Sequence, residues 1–119
     1  MAWIYYQQTG DIGHGGYFLG KGYSGYGGFC NNPDLEFACD RGPIPRGRYR
    51  IGSPEYHPKL GRHSMRLTPV GHNAYGRTGF FIHGDSSKTP GGASHGCIIL
   101  AFDVRTKIAN SGDFDLEVI

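Results

Sequence analysis

At 119 residues the chain has room for one hydrophobic core and not for two. Hydrophobic residues at 38% against 18% charged exclude a disordered chain, and a formal charge of +2 with no block of like charges leaves no electrostatic footprint for nucleic acid. No apolar run approaches the length of a membrane-spanning helix. An aromatic share of 13% together with 21 glycines favours β-structure rich in turns.

In chain order, residues 2–8 predict a strand and Thr9-Gly10-Asp11 a turn. Residues 1–30 are Gly/Tyr-rich. Aromatic residues there alternate with turn glycines, which predicts twisted β-hairpins, with short strands at Tyr17-Phe18-Leu19 and over 23–26. Asn31-Asn32-Pro33 is a turn, and Gly42-Pro43-Ile44-Pro45-Arg46-Gly47 is a rigid one because each Pro fixes φ. Arg48-Tyr49-Arg50-Ile51 alternates polar and apolar residues as a half-buried strand does. Strands are also expected at 65–68 and 79–83, and a polar loop at 85–93. The one helix predicted runs over 103–110, with Asp103 as its cap, Val104 and Ile108 on one face and Gly112 as its stop. A strand at 114–118 closes a mostly-β domain with one short C-terminal helix.

Three segments bear on partners and compartment. Arg41, Arg46, Arg48 and Arg50 form a basic cluster, read as a solvated strand surface or as a landing site for an anionic polymer such as the cell wall. Cys30, Cys39 and Cys97 are an odd set. Cys30 and Cys39 flank a short loop and are read as either a disulfide or two buried thiols. The start, Met1 to Tyr6, has no basic segment, long apolar stretch or cleavage site, so no signal peptide is expected.

The segment with chemistry in it is Phe80-Phe81-Ile82-His83-Gly84, then a loop, then Ser94-His95-Gly96-Cys97-Ile98-Ile99-Leu100. A thiol becomes a good nucleophile as thiolate, and a neighbouring imidazole is a common means of forming it. Gly96 permits a sharp bend before Cys97, so that main-chain amides there can face an oxyanion. Two other readings stay open on these residues. His83, His95 and Cys97 are donors that zinc accepts, although no CxxC, HxxxH or fourth ligand accompanies them. Alternatively Cys97 is a core thiol and the histidines bond loop carbonyls.

His83 followed by Ser94-His95-Gly96-Cys97 resembles the signature of the L,D-transpeptidase (YkuD-like) catalytic domain. The Gly42–Ile51 turn and strand and the helix and strand from Asp103 to Ile119 are similar to that family's as well. The likeness covers the chain from Asn31 onward, with the Gly/Tyr-rich start matched loosely. Asn-Asn-Pro, Gly-Pro-Ile-Pro, His-Gly-Asp and Gly-Cys-Ile-Ile-Leu are most similar to the compact interbacterial effectors delivered by type VI secretion.

The resemblance implies a single L,D-transpeptidase-like β-sandwich or sheet domain over residues 1–119. Cys97 would be the acylated nucleophile and His83 the general base. The Gly84 carbonyl would orient the imidazole, and Ser94, His95 and Gly96 would shape the loop, with the Gly96 and Cys97 amides as oxyanion donors. His95, two positions before the nucleophile, points elsewhere. Many relatives carry Arg two residues after the cysteine, where this chain has Ile99. Arg62, Arg77 or Lys88 would take its place on substrate carboxylates. The implied substrates are peptidoglycan stem peptides, with no metal or organic cofactor. The implied setting is the periplasm of a target cell, reached by secretion from the cytoplasm, with an immunity protein as a further partner. The rival functions are a non-catalytic peptidoglycan-binding module and a zinc-binding structural domain.

Overall fold

Alternating burial along the chain builds nine strands and one helix in the computed structural model, which describes residues 1–119. The strands are β1 (Trp3–Tyr5), β2 (Asp11–His14), β3 (Tyr17–Lys21), β4 (Tyr23–Ser24), β5 (Gly47–His57), β6 (Gly61–Val70), β7 (Phe81–His83), β8 (Ile98–Ile99) and β9 (Asp115–Val118). Helix α1 spans Phe102–Asn110. The expected mostly-β domain with one short helix is present, and it is a single sheet of order β3-β2-β1-β9-β5-β6-β7-β8-β4.

The two strands at the ends of that order are neighbours in the chain. β3 pairs with β2 and β4 pairs with β8, and only Gly22 separates them. One strand therefore changes partners at Gly22 and rolls the sheet around its own core. The change of partner demands glycine. A Cβ at Gly22 would lie 1.7 Å from the Ile99 carbonyl oxygen, and one at Gly10 1.9 Å from that of Gly22. The Gly22 amide donates to the Gly10 carbonyl at 2.8 Å, completing the seam.

Inside the roll, alternate residues in the first half of β5 and the middle of β6 are apolar and buried, and the shorter strands add to them. Tyr49 and Ile51 of β5, Met65 and Leu67 of β6, Ile82 of β7, Ile98 of β8 and Leu116 and Val118 of β9 join Trp3, Tyr5 and Ile12 in one core cluster. α1 adds Val104 and Ile108 to it. A Cβ on Gly20 of β3 would meet Val104 at 2.7 Å, so that glycine lets the helix come close.

Several boundaries differ from the sequence reading. β2 was not anticipated, because Asp11-Ile12-Gly13-His14 carries a single core residue, and the first strand is only Trp3–Tyr5. β5 and β6 run to His57 and from Gly61, forming a long hairpin beyond the expected four-residue cores. α1 starts one residue early. Ala101 occupies the cap position, and Asp103 sits in the first turn without capping it. All three cysteines are free. Cys30 is half-buried and Cys39 exposed, so neither the disulfide nor a pair of buried thiols is formed. The four arginines of the basic cluster are exposed on and before β5, where Arg46 bonds Glu36 at 2.9 Å and Arg50 bonds Asp115 at 3.3 Å. No helix is long and apolar enough to cross a membrane.

The seam generates a stability prediction. Gly22→Ala should cost about 3 kcal/mol or more, because the clash is with backbone that cannot rotate away. Gly28→Ala, where a Cβ meets nothing within 4 Å, should stay within about 0.5 kcal/mol of the parent in the same urea titration.

Candidate active site

Parallel pairing of β7 with β8 sets Ile82 opposite Ile98 and His83 opposite Ile99. Ile82 and Ile98 point into the core, so the alternation turns Phe81 and His83 to the other face, and Cys97 and Ile99 with them. Cys97 stands one residue before β8. A strand spacing of about 4.8 Å and a two-residue rise of about 6.6 Å place the His83 and Cys97 Cα atoms about 8 Å apart on the diagonal. Side chains of this size can meet across such a diagonal.

The imidazole has a defined tautomer. His83 Nδ1 lies 2.8 Å from the Gly84 carbonyl oxygen. A carbonyl only accepts, so Nδ1 carries the proton and Nε2 of the neutral ring carries the lone pair. His83 is buried, and Nε2 has no hydrogen-bond partner. An unsatisfied buried nitrogen is costly, and a role in proton transfer is one reason for a fold to keep one. Burial lowers the His83 pKa below the ordinary histidine value. The Arg105 and His57 charges push the same way, while the Gly84 carbonyl and Asp85 oppose.

The Cys97 thiol is half-buried and bonds the Gly79 carbonyl oxygen at 3.7 Å, with no bond to the imidazole in this state. Burial pushes its pKa up to about 11, against smaller lowering by the Phe81 amide and the Arg77 charge. The resting pair is therefore neutral thiol and neutral imidazole. It is not a preformed thiolate–imidazolium pair.

Ser94 organises the loop before the cysteine. Its buried hydroxyl donates to the Cys97 carbonyl at 2.6 Å and accepts from the Gly25 amide at 2.9 Å and the Gly96 amide at 3.2 Å. The Gly96 amide is thus turned inward and is not available to an oxyanion, which corrects half of that expectation. The Cys97 amide donates to no protein group and is the remaining candidate. Gly96 has φ of +135°, and a Cβ there would lie 2.7 Å from Arg77 Nη2. A second buried hydroxyl, Ser24, donates to the Gly96 carbonyl at 3.2 Å and accepts from the Ile44 amide at 2.8 Å. His95 turns away. Its ring stacks on Tyr26 at 4.8 Å, and its Nδ1 bonds the Asp40 carbonyl at 2.9 Å. That also separates it from His83 and Cys97 as a zinc set, and no group of three or more His, Cys, Asp or Glu side chains is placed to hold a metal ion.

The three candidate carboxylate binders fare differently. Arg77 is buried and its guanidinium bonds the carbonyls of Glu36, Gly42, Pro43 and His95, so it clamps the loops beneath the site and has no free face for substrate. Arg62 lies over the Phe102 ring at 5.2 Å, on the helix side. Lys88 lines a cleft of about 500 Å³ between the β5–β6 hairpin tip and the 85–93 loop. His83 and Gly84 form part of that cleft's wall, and Lys59 contributes a second ammonium.

The 85–93 loop is itself built around Asp85, whose carboxylate accepts from the Ser86 and Gly91 amides and, at 2.6 Å, from the Tyr23 hydroxyl. These bonds hold the Asp85 pKa below the ordinary carboxylate range despite the opposing effect of desolvation. The Tyr23 hydroxyl also accepts from the Ala93 amide at 3.0 Å, tying the loop to β4. Sequence reasoning missed Ser24, Tyr23, Asp85 and Arg105. Only Asp85, followed by Ser86 and preceding a Gly-rich turn, carried a local signal.

A family model described as the Tlde1 domain matches residues 20–113, a span that takes in His83, Cys97 and the loops around them. No curated protein matches the chain.

Ser94→Ala would orphan the Gly25 and Gly96 amides and the Cys97 carbonyl together. It should destabilise the protein by about 2–3 kcal/mol in urea denaturation. Ser94→Thr, which keeps the hydroxyl, should recover part of the loss.

Proposed function

The chain belongs to the Tlde1 domain family, a family of type VI secretion effector domains, and on that premise we propose that it is a peptidoglycan-modifying cysteine enzyme. It acts on tetrapeptide stems as an L,D-carboxypeptidase, an L,D-transpeptidase exchanging D-amino acids, or both. The observation that carries this reading is the bare, buried Nε2 of His83 on the same sheet face as Cys97, with Nδ1–H fixed on the Gly84 carbonyl.

In the first half-reaction, Nε2 takes the thiol proton as Sγ attacks the carbonyl carbon of the third stem residue. The carbonyl π electrons move to oxygen, and the Cys97 amide donates to that oxyanion. Collapse of the intermediate breaks the C–N bond, the imidazolium proton goes to the leaving amine of D-alanine, and a thioester remains on Cys97. Water or a second amine then gives a proton to Nε2 and attacks the thioester, and the proton returns to the sulfur. Because the resting groups are both neutral, the thiolate forms as substrate arrives and excludes water, and no ion pair has to be stored beforehand. The cleft carrying Lys88 and Lys59 supports recognition of an anionic stem peptide.

In this proposal the setting is the periplasm of a target cell, and an immunity protein protects the producer. One observation favours the rival of a non-catalytic wall-binding module, namely the thiol pKa raised to about 11 with no direct bond to the imidazole. Alkylation separates the two. A catalytic thiol should lose iodoacetamide reactivity in His83→Ala, while an ordinary thiol should not respond to that change.

Cys97→Ala should abolish conversion of purified muropeptides read by mass spectrometry. His83→Ala should lower it by about 10²–10⁴-fold, and His95→Ala should leave most of it. The lowered His83 pKa means that the base stays unprotonated to below the ordinary value of about 6.5. Activity should therefore persist as pH falls through 6.5 and be lost on an acid limb below it. A limb at or above 6.5 would contradict the assignment.

A further inference from the structure

Arg105 lies beneath the His83–Gly84 segment, and the reaction described above gives it no part. It is buried in the first half of α1, with its guanidinium directed toward the ends of three strands. Nε donates to the Leu100 carbonyl at 3.1 Å, just after β8. Nη1 donates to the carbonyls of Arg62 at 3.1 Å and His63 at 3.3 Å, at the start of β6. Nη2 has no protein acceptor and lies 2.7 Å from where a Cβ of Gly84 would stand, so it packs directly on the Gly84 backbone.

Two further contacts connect this fork to the imidazole. The Leu100 amide donates to the His83 carbonyl at 3.0 Å, so the residue that Arg105 holds by its carbonyl holds His83 by its amide. The Gly84 backbone against which Nη2 packs supplies the carbonyl that takes His83 Nδ1–H. His63 reaches its place with φ of +59°, a left-handed conformation that costs a non-glycine residue about 1–2 kcal/mol. Its carbonyl is one of those bonded to Nη1, so the strained turn presents an acceptor to Arg105.

We infer that Arg105 is a positioning residue for the reaction proposed above, holding Leu100 and Gly84 so that His83 keeps Nδ1–H on the Gly84 carbonyl and Nε2 free to take a proton. The inference rests on the reading of Cys97 and His83 as an acyl-transfer pair. Only arginine fits the place. Its planar fork meets acceptors on separate strands, and its charge persists at any working pH, whereas a lysine ammonium is a point charge without that geometry. The charged and titratable groups around the imidazole are Arg105 from α1, His57 from β5, Asp85 from the following loop, and Lys59 and Lys88 in the cleft that His83 lines. Of these, Arg105 alone combines a positive charge with direct packing on the residue that fixes the ring.

The test uses full-length protein labelled with ¹⁵N in histidine. The two ring nitrogens of His83 are followed across pH, beside kcat and KM for muropeptide conversion, in the parent, Arg105→Lys, Arg105→Met and Gly84→Ala. The parent should show the Nδ1-protonated tautomer. Arg105→Met should show mixed tautomers, a His83 titration moved to higher pH with the acid limb of kcat/KM following it, and a kcat reduced about 10–100-fold with KM little changed. Arg105→Lys should restore the titration more than it restores kcat. If Arg105→Met does not fold, Gly84→Ala carries the test, since its methyl group displaces Nη2 and should produce the same tautomer mixing. A folded Arg105→Met or Gly84→Ala protein with the parent's tautomer and titration would overturn the inference and leave Arg105 as a structural clamp. Failure of the parent to convert muropeptides would overturn the acyl-transfer reading instead, and the ring signals would still decide whether Arg105 sets the tautomer.

Discussion

The parallel register of β7 against β8 is the constraint on which the site depends. Ile82 and Ile98 face each other inside the core with no exposure to solvent, and their burial fixes the pairing. A slip of one residue in either strand would carry its isoleucine to the outer face and turn His83 or Cys97 toward the apolar interior, so the register is held by hydrophobic free energy. Parallel neighbours need a long crossover, usually a helix. Here the crossover, residues 84–97, has no helix, and its order comes from hydrogen bonds to Asp85 at one end and Ser94 at the other. The same two anchors reach β4 through Tyr23 and the residue after it through Gly25, so the strand that closes the rolled sheet also fixes the loop that presents the cysteine.

Burial sets the electrostatic character of the pair. It raises the thiol and lowers the imidazole, so both shifts favour the uncharged forms, and the proton transfer proposed between them would create two charges where there were none. Such a transfer is favoured only when something nearby stabilises the products. The Phe81 amide and the Arg77 charge favour the thiolate, and the Gly84 carbonyl and Asp85 favour the imidazolium.

How far the sequence revealed this differs by residue. Cys97 and His83 stand out in the sequence because the candidate site draws on two short segments with distinctive residue types. The helix and the last strand were legible from Val104, Ile108, Leu116 and Val118, whose spacing matches their periods. Ser24 and Arg105 were not, since their partners at Gly96 and Ile44, or at Arg62, His63 and Leu100, are set by the fold and leave no local pattern. Arg77 misled in the opposite direction. The family arginine missing at Ile99 suggested it as a substitute on substrate carboxylates, while the fold buries it among main-chain carbonyls. The closing of the sheet at Gly22 was hidden for the same reason. A glycine between two tyrosine-rich segments reads as a turn, and only the non-local clash with Ile99 shows why it must be glycine.

Intact-protein mass spectrometry after mixing with tetrapeptide muropeptides tests the central claim most directly, because it asks whether a sulfur–acyl bond forms at Cys97. The account predicts an adduct equal to the donor less D-alanine, mapped to the peptide containing Cys97 and matched by one equivalent of released D-alanine in the first turnover. Release of D-alanine from an unmodified enzyme, or an adduct carried by another residue, would contradict it.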